Sequence, residues 1–388
     1  VRKVAVVGTG LTHWGVRKAT FKELAQEAGK DLFDDVDNLP KGDVDSLFVG
    51  SALADRLAFQ SYVAPMVAEQ LGIQPTRMLV RTELACVSGQ AAIKMAYMAI
   101  ATGLSDIAAV VGVEKMNLPD MAETQASMAA VLDREWEGVA GLTAPPYFAM
   151  VAQRHMHEYG TTAEQMALVS VKNHRFSATN PYAHFPKEVS LDRVLNAPMV
   201  STPLRLLDCS GITDGAAAVL LTAEDRAREF TDTPVTIEGV GQAATGNLTV
   251  NLPSLTEWPQ MRRAVGDALD MAGVTIRDMD LAEVHDCFTI SEIIEYEELG
   301  LAEKGKGGRF IEEGQSDIGG QLPTNTRGGL LGCGHPLGAT GVAQVVEVTR
   351  QFRAEVPSER YVGGEWALCH NLSGNANNHA ALVLHRAS

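Results

Sequence analysis

Positive charge is what this sequence is short of. Its 388 residues carry 32 Lys and Arg against 48 Asp and Glu, a formal net charge of -16. An acidic surface repels nucleic-acid backbones and anionic membrane faces, so neither is expected as a partner. An anionic small substrate is compatible with it only if a local basic group or a partner offsets the repulsion. Aromatic residues are scarce at 6%, while 46% of the chain is hydrophobic and 36 residues are glycine. That composition suits a tightly packed α/β core large enough for two domains or two fused halves. Long apolar runs are missing, and nothing approaches the roughly 20 residues that span a bilayer. The opening Val1–Gly8 is too short for a secretory leader and reads as a first strand. The five cysteines, Cys86, Cys209, Cys287, Cys333 and Cys369, form no disulfide framework and no C-x-x-C pair. A reducing, cytoplasmic setting without a resident metal is expected.

What is present reads as alternation. Val4–Val7 is a buried strand ending in Gly8-Thr9-Gly10, which is half of a dinucleotide fingerprint without its third glycine, and hence a strand-ending turn. Strands over 46–49, 77–82 and 107–113 alternate with helices over 21–33, 61–71 and 90–102. This pattern predicts a largely parallel sheet with helices on both faces. From about 114 to 207 the rhythm breaks. Met116, Met121, Met128, Met150, Met156 and Met166 mark a mostly helical insertion that covers a substrate or fills an irregular core. The strand Asp214–Leu221 then closes a first half. Val235–Gly241 repeats the opening Val4–Gly10, and Ala380–Leu384 echoes Ala217–Leu221. Two related halves are predicted, 1–230 and 231–388, with their boundary near Thr231–Pro234 and a site where they meet.

Four segments place reactive side chains among small or apolar ones, each at or near a strand end, where ligands gather in α/β sheets. Gly334–Gly341, G-H-P-L-G-A-T-G, bends around His335 just before an apolar helical pattern. Cys86 lies where a short run meets the helix from Gln90, and a helix N-terminus favours thiolate. Such a cysteine and histidine form a nucleophile–base pair, although a cysteine taken alone is more often an inert core residue. The other two segments are His285-Asp286-Cys287-Phe288, after a strand over 281–284, and Leu368–Gly374, which holds Cys369, His370 and Asn371. Cys209 and Cys333 have no such company and read as structural.

Taken together, Cys86-x-Ser88-Gly89, His285-Asp286-Cys287-Phe288, Gly334-His335-Pro336 and His370-Asn371-Leu372 resemble a thiolase. So do Lys172-Asn173-His174-Arg175, Arg205–Ser210 and Asp214-Gly215-Ala216, so the likeness runs in order along nearly the whole chain. The chain is similar in particular to the branch of sterol-carrier-protein-X thiolases and archaeal acetyl-CoA acetyltransferases. The resemblance implies a duplicated αβαβα layered fold and a ping-pong Claisen condensation of acetyl-CoA to acetoacetyl-CoA, or thiolysis of a 3-oxoacyl-CoA. It implies that Cys86 carries the acyl group and that His335 activates it and borders an oxyanion hole with His285. Asn371 stands where the commoner branch has its acid/base cysteine, so Cys287 takes that role. Backbone N–H groups of Cys86 and of Ser373 or Gly374 form a second oxyanion hole. The family's glycine-rich run is replaced here by Ser373–His379, which predicts an altered backbone approach to the thioester. His370 and Asn371 are expected to pack or to position other residues.

Lys172, His174 and Arg175 either contact CoA phosphates or form a solvated helix face. No cofactor is permanently bound in this reading; CoA thioesters are substrates. The resemblance further implies lipid or isoprenoid-precursor metabolism and a homodimer or homotetramer. It also implies association with a small OB-fold zinc-ribbon protein or a hydroxymethylglutaryl-CoA synthase. Two other function classes compete. One is a carbon–carbon lyase, cleaving a larger acyl-CoA by retro-aldol chemistry with an OB-fold partner subunit. The other is a non-catalytic lipid-binding scaffold.

Overall fold

The computed structural model describes residues 1–387. Its frame is a nine-stranded sheet of β1 (Val4–Leu11), β2 (Ser46–Gly50), β3 (Met78–Thr82), β4 (Ile107–Glu114), β5 (Gly215–Ala223), β6 (Val235–Ala244), β7 (Leu281–Glu283), β8 (Trp366–Ser373) and β9 (Asn378–Arg386). The spatial order is β3-β2-β4-β5-β1-β6-β9-β8-β7. Read outward from the β1–β6 junction, the order is a mirror. Each half begins with its opening strand, then its closing strand, β5 or β9, then β4 or β8, then β2 or β7. Beyond β7 the second half has an isolated bridge, Ala282–Thr324, where the first half has β3. The repeated opening and closing motifs are thus a real duplication.

Three pairings are parallel, β2–β3, β2–β4 and β7–β8. The other five are antiparallel. Strand–helix alternation predicts direction correctly within each half, where all strands but one run the same way. It misses the pairing, because β5 and β9 return from long excursions and slot in antiparallel between their neighbours.

The helices that build the layers are α1 (Phe21–Asp34), α2 (Val63–Leu71), α3 (Ser88–Ala101), α4 (Ala144–Tyr159), α5 (Ala163–Ser177), α6 (Pro259–Ala272), α7 (Thr289–Glu298) and α8 (Leu337–Phe352). α1 is a surface helix: Phe21, Leu24, Ala25, Ala28 and Leu32 recur at helical spacing on its buried face, and Thr20 with Glu23 forms a capping box at its start. With α2 it covers one face of the first half, against Val7, Leu47, Val111 and Leu220. α3 and α8 lie between the halves. Ala92, Ile93, Val342 and Val346 pack there against Val6, Phe48 and Val219 on one side and Ile237, Cys369 and Leu382 on the other. α6 and α7, with α4 and α5 of the insertion, cover the outer face of the second half at Leu368, Ala381 and Val383. The result is five layers, helix–sheet–helix–sheet–helix. α8 is buried on every side from Leu337 to Thr349, so its sequence is apolar or small apart from Gln344 and Glu347, whose side chains are hydrogen-bonded. Each buried valine there contributes about 1.5–3 kcal/mol relative to exposure. Among the described residues no helix is long and apolar enough to cross a membrane.

Candidate active site

The first reactive residue is set by a strained turn. After β3 the chain makes one 3₁₀ turn, Ala85–Val87, and enters α3 directly. Ala85 has φ +48, a left-handed conformation unusual for a residue with a Cβ. Ser88 holds it there: its hydroxyl donates to the Ala85 carbonyl at 2.6 Å and accepts from the Leu84 N–H at 2.9 Å. This turn leaves Cys86 partly exposed while its neighbour Val87 is fully buried.

The second reactive residue sits at the start of α8. Gly334 has φ +94, and a Cβ there would lie 2.3 Å from Thr213 Oγ1, so the turn before His335 needs glycine twice over. Gly338 is needed for packing: a Cβ would lie 2.4 Å from the Gly50 carbonyl oxygen. Its absence lets the first turn of α8 settle against β2 and β4. The buried Glu114 carboxylate completes the joint, accepting from the Ala52, Leu53 and Gly338 N–H groups and from the Ser51 hydroxyl at 2.7–3.1 Å. Burial pushes Glu114 up to about 7 despite those donors.

These two helix starts meet. The ligating atoms of Cys86, His285 and His335 all lie within 4.8 Å of one another. The rings of His285 and His335 meet edge to face with centroids 4.9 Å apart. The His335 tautomer follows from its partners. Thr340 Oγ1 donates to the Pro336 carbonyl at 3.1 Å, so it accepts from His335 Nδ1–H at 2.7 Å. Nε2 is therefore the bare nitrogen, and it is buried without another partner. Burial pushes His335 down to about 3, and the Arg327 charge adds to this. Burial pushes the Cys86 thiol up to about 12, with the N–H groups of Cys86 and Gly374 pulling the other way. Burial thus works against the thiolate expected from the helix N-terminus and against an imidazolium at His335.

Cys287 and His285 come from the loop after β7. Both are buried, and their side chains line the same cavity as Cys86 and His335. Burial raises the Cys287 thiol well above its usual range, and Cys86 adds to this; Ser291 Oγ, 3.8 Å from the sulfur, opposes it. Burial lowers the His285 imidazole well below its usual value, reinforced by His335. The cavity has a volume of about 390 Å³ and is mostly apolar. Met116, Met128, Leu132, Pro145 and Phe148 of the insertion form one wall, so the excursion does cover the site. Phe288 stacks on Phe148 at 4.6 Å and ties the Cys287 loop to that wall. Cys209 also lines the cavity, which the sequence reading of it as purely structural overlooks.

Other candidates are sorted by the fold. Of Ser373 and Gly374, it is Gly374 whose N–H reaches toward Cys86. Of the bulkier residues after it, Asn375 is held away by its Nδ2, which donates to the Asn247 carbonyl at 2.7 Å. Lys172 and His174 are withdrawn as CoA-binding candidates. Lys172 is buried with its Nζ 2.5 Å from Glu292, and His174 Nδ1 is 3.0 Å from the Ser170 carbonyl inside the same core. Arg175 is on the surface, paired with Asp317 at 2.5 Å. No lysine or arginine lines the cavity among the described residues. Asn371 and His370 lie behind it. Asn371 Nδ2 donates to Gln344 Oε1, which also accepts from Gln90 Nε2, while Gln344 Nε2 donates to the His370 carbonyl at 2.9 Å. Gln344 thus clamps α3, α8 and β8 together. Sequence reading missed it, along with Glu114, Glu295 and His379. Only Glu114 had a visible signal, a lone charge closing the apolar run Ile107–Val113.

Known proteins resemble this chain in sequence and fold. The family models "Thiolase, N-terminal domain" and "Thiolase C-terminal domain-like" match residues 4–225 and 241–386. An acetyl-CoA acetyltransferase of Methanothermobacter thermautotrophicus is 42% identical over 387 residues, covering 100% of both chains. Sterol carrier protein 2 of Bos taurus is 33% identical over 95% of this chain and 70% of its own. Among solved structures, the "Ltp2-ChsH2(DUF35) aldolase" superposes with a TM-score of 0.86 at 27% identity, covering 99% of this chain and 98% of that one. With two matched halves, five layers and a cysteine–histidine pair at their junction, the chain belongs to the thiolase family.

Proposed function

We propose that this protein is an acetyl-CoA C-acetyltransferase working by a ping-pong mechanism through an acyl-Cys86. The convergence of Cys86, His285 and His335 at one end of a cavity that Cys287 also lines carries the reading. Cys86 attacks the carbonyl of a first acetyl-CoA and its proton passes to the bare Nε2 of His335. The CoA sulfur leaves with the proton of Cys287. Cys287, now a thiolate, takes a methyl proton from a second acetyl-CoA. Its raised proton affinity suits it to that weakly acidic C–H. The protonated His335 and His285 donate to the enolate oxygen, while the N–H groups of Cys86 and Gly374 receive the oxyanion formed on the acyl-cysteine. Collapse releases acetoacetyl-CoA, and Cys86 recovers its proton from His335. One cysteine cannot be acylated and act as base at once, which is why the site holds two. Intact mass after mixing with acetyl-CoA tests this: one acetyl adduct is expected, absent from Cys86→Ala. An unmodified wild-type chain overturns the reading.

A second reading, carbon–carbon cleavage with a partner subunit, is favoured by the solved aldolase relative, whose name pairs it with a DUF35 protein. It needs no acyl-cysteine, so it predicts undiminished turnover in Cys86→Ala. That no lysine or arginine lines the cavity among the described residues supports a basic partner, such as an OB-fold zinc-ribbon protein, that improves CoA binding; hydroxymethylglutaryl-CoA synthase association is a further proposal of the same kind. Micromolar or tighter CoA binding, about -8 kcal/mol or better, by this chain alone at physiological salt would remove that need. Homo-oligomerisation through the open sheet edge is supported by Leu79 of the edge strand β3, 39% exposed, and by Met98 of α3, 52% exposed. Residence in the cytoplasm and a place in lipid metabolism belong to the same proposal.

A further inference from the structure

Behind His285 lies a row of buried side chains that the mechanism above does not use. His379 Nε2 is 2.9 Å from the Ala376 carbonyl, and His379 Nδ1 is 3.0 Å from His370 Nε2. His370 Nδ1 is 3.3 Å from Glu295 Oε1. Glu295 Oε2 accepts from the His285 backbone N–H at 3.1 Å. Glu295, His370 and His379 are all fully buried.

The end of this row dictates its protons. A carbonyl oxygen only accepts, so His379 Nε2 carries a hydrogen. In the neutral ring Nδ1 is then bare, so His370 Nε2 must carry the hydrogen between the two rings. That leaves His370 Nδ1 bare in turn. It faces Glu295 Oε1, and neither atom has a hydrogen-bond partner among the described residues. Were Glu295 ionised and His370 neutral, two lone pairs would confront each other in the core. One proton on the pair satisfies both atoms. Its place is decided by what surrounds it. Glu292 on the same helix and Asp286 beside His285 both disfavour a negative charge on Glu295, and Lys172, the nearby cation, is bound to Glu292. Besides Glu295 itself, the groups that act on His370 are the imidazoles of His379 and His285, which disfavour a positive charge on it, and burial disfavours an imidazolium there most of all. The proton therefore belongs on Glu295.

We propose that Glu295, His370 and His379 form an uncharged, proton-ordered chain that positions His285 through its backbone N–H and keeps a negative charge away from Cys287. Glu295 is a positioning residue in this scheme, and the inference rests on the thiolase reading only for the roles of His285 and Cys287. The charge of an ionised Glu295 would raise the Cys287 thiol further and make harder to form the thiolate that the enolisation step requires.

Glutamine mimics protonated glutamate, offering one donor and one acceptor in the same places, whereas leucine offers neither. Infrared difference spectra of the whole protein, wild type minus Glu295→Gln, should show a protonated carboxylic carbonyl band at neutral pH, without any substrate. Exchange of acetyl-CoA methyl hydrogens in D₂O reads the Cys287 step. Glu295→Gln should keep that exchange within about 3-fold and leave its pH profile unchanged in shape. Glu295→Leu should lose about 100-fold, with Cys86 acetylation within about 3-fold of wild type in both variants. Two results overturn the proposal. One is absence of the carbonyl band. The other is a Glu295→Gln variant that melts like wild type yet is as slow in exchange as Glu295→Leu. Failure of wild-type acetylation would instead strike the thiolase reading, since the infrared result does not depend on it.

Discussion

α3 and α8 occupy matching places in the two halves, side by side in the central layer, yet their N-termini are built differently. α3 is entered through a strained, hydroxyl-braced turn that leaves Cys86 partly open to the cavity. α8 is entered through a glycine turn and is buried all round, with His335 tied to Thr340 and 6% exposed. Neither start has a side-chain cap. The nucleophile must reach a substrate, so its segment faces the cavity; the base must hold one tautomer and one direction, so its segment is locked. A duplicated fold supplied two equivalent helix starts, and the chemistry made them unlike.

Removing either end of the pair breaks the comparison most severely. Cys86→Ala should abolish acetyl-enzyme in intact mass spectra and cut turnover by about 10⁴-fold or more. His335→Ala should slow acetylation by about 10²–10⁴-fold, the range for a lost general base, as read by rapid-quench mass analysis. Gly338→Ala drives a methyl into the Gly50 carbonyl, so α8 must shift; a loss of about 1–3 kcal/mol in urea unfolding is expected, together with slower acetylation. Thr340→Val removes the acceptor that fixes the His335 tautomer and leaves its buried Nδ1–H unpaired, so about a 10-fold slower acetylation and a loss of about 1–3 kcal/mol in urea unfolding are expected.

The protonation of the pair can also be read directly. With its thiol pushed up to about 12, Cys86 is uncharged at neutral pH, and its thiolate fraction grows as pH rises toward that value. Alkylation of Cys86 by iodoacetamide should therefore climb about 10-fold per pH unit from 7 to 9 without a plateau, because the thiolate is the reacting form. A plateau near pH 7 would mean that the helix start wins over burial. The smallest effect is expected at the strained turn. Ala85→Gly relieves the left-handed cost, so stability should change by no more than about 1 kcal/mol, with acetylation somewhat slower as the turn loosens.

Much of this site is legible in the sequence alone. Cys86, His285, Cys287 and His335 stand out because reactive side chains among glycines and small residues have little to gain from packing. Lys172 and His174 show the limit. Their segment reads equally as a basic helix face, and only tertiary contact with Glu292 reveals a core cation. α7 shows the same limit from the other side: Glu292, Glu295, Glu297 and Glu298 are all buried, which no local pattern of acidic residues predicts. Their partners Lys172, His155, Arg262 and, for Glu295, His370 come from distant segments, and only Lys304 lies nearby in the chain.

The sequence by itself determined the layered α/β class, the duplication and the identities of the reactive residues, because periodicity, strand-end glycines and repeated motifs are local properties. Tertiary structure decided the antiparallel insertion of β5 and β9, the burial that pushes the Cys86 thiol up and the His335 imidazole down, and which of Ser373 and Gly374 points at the sulfur. Those depend on which distant groups remove water from a side chain and which N–H happens to face it, and desolvation is set by everything packed around a residue rather than by its neighbours in the chain.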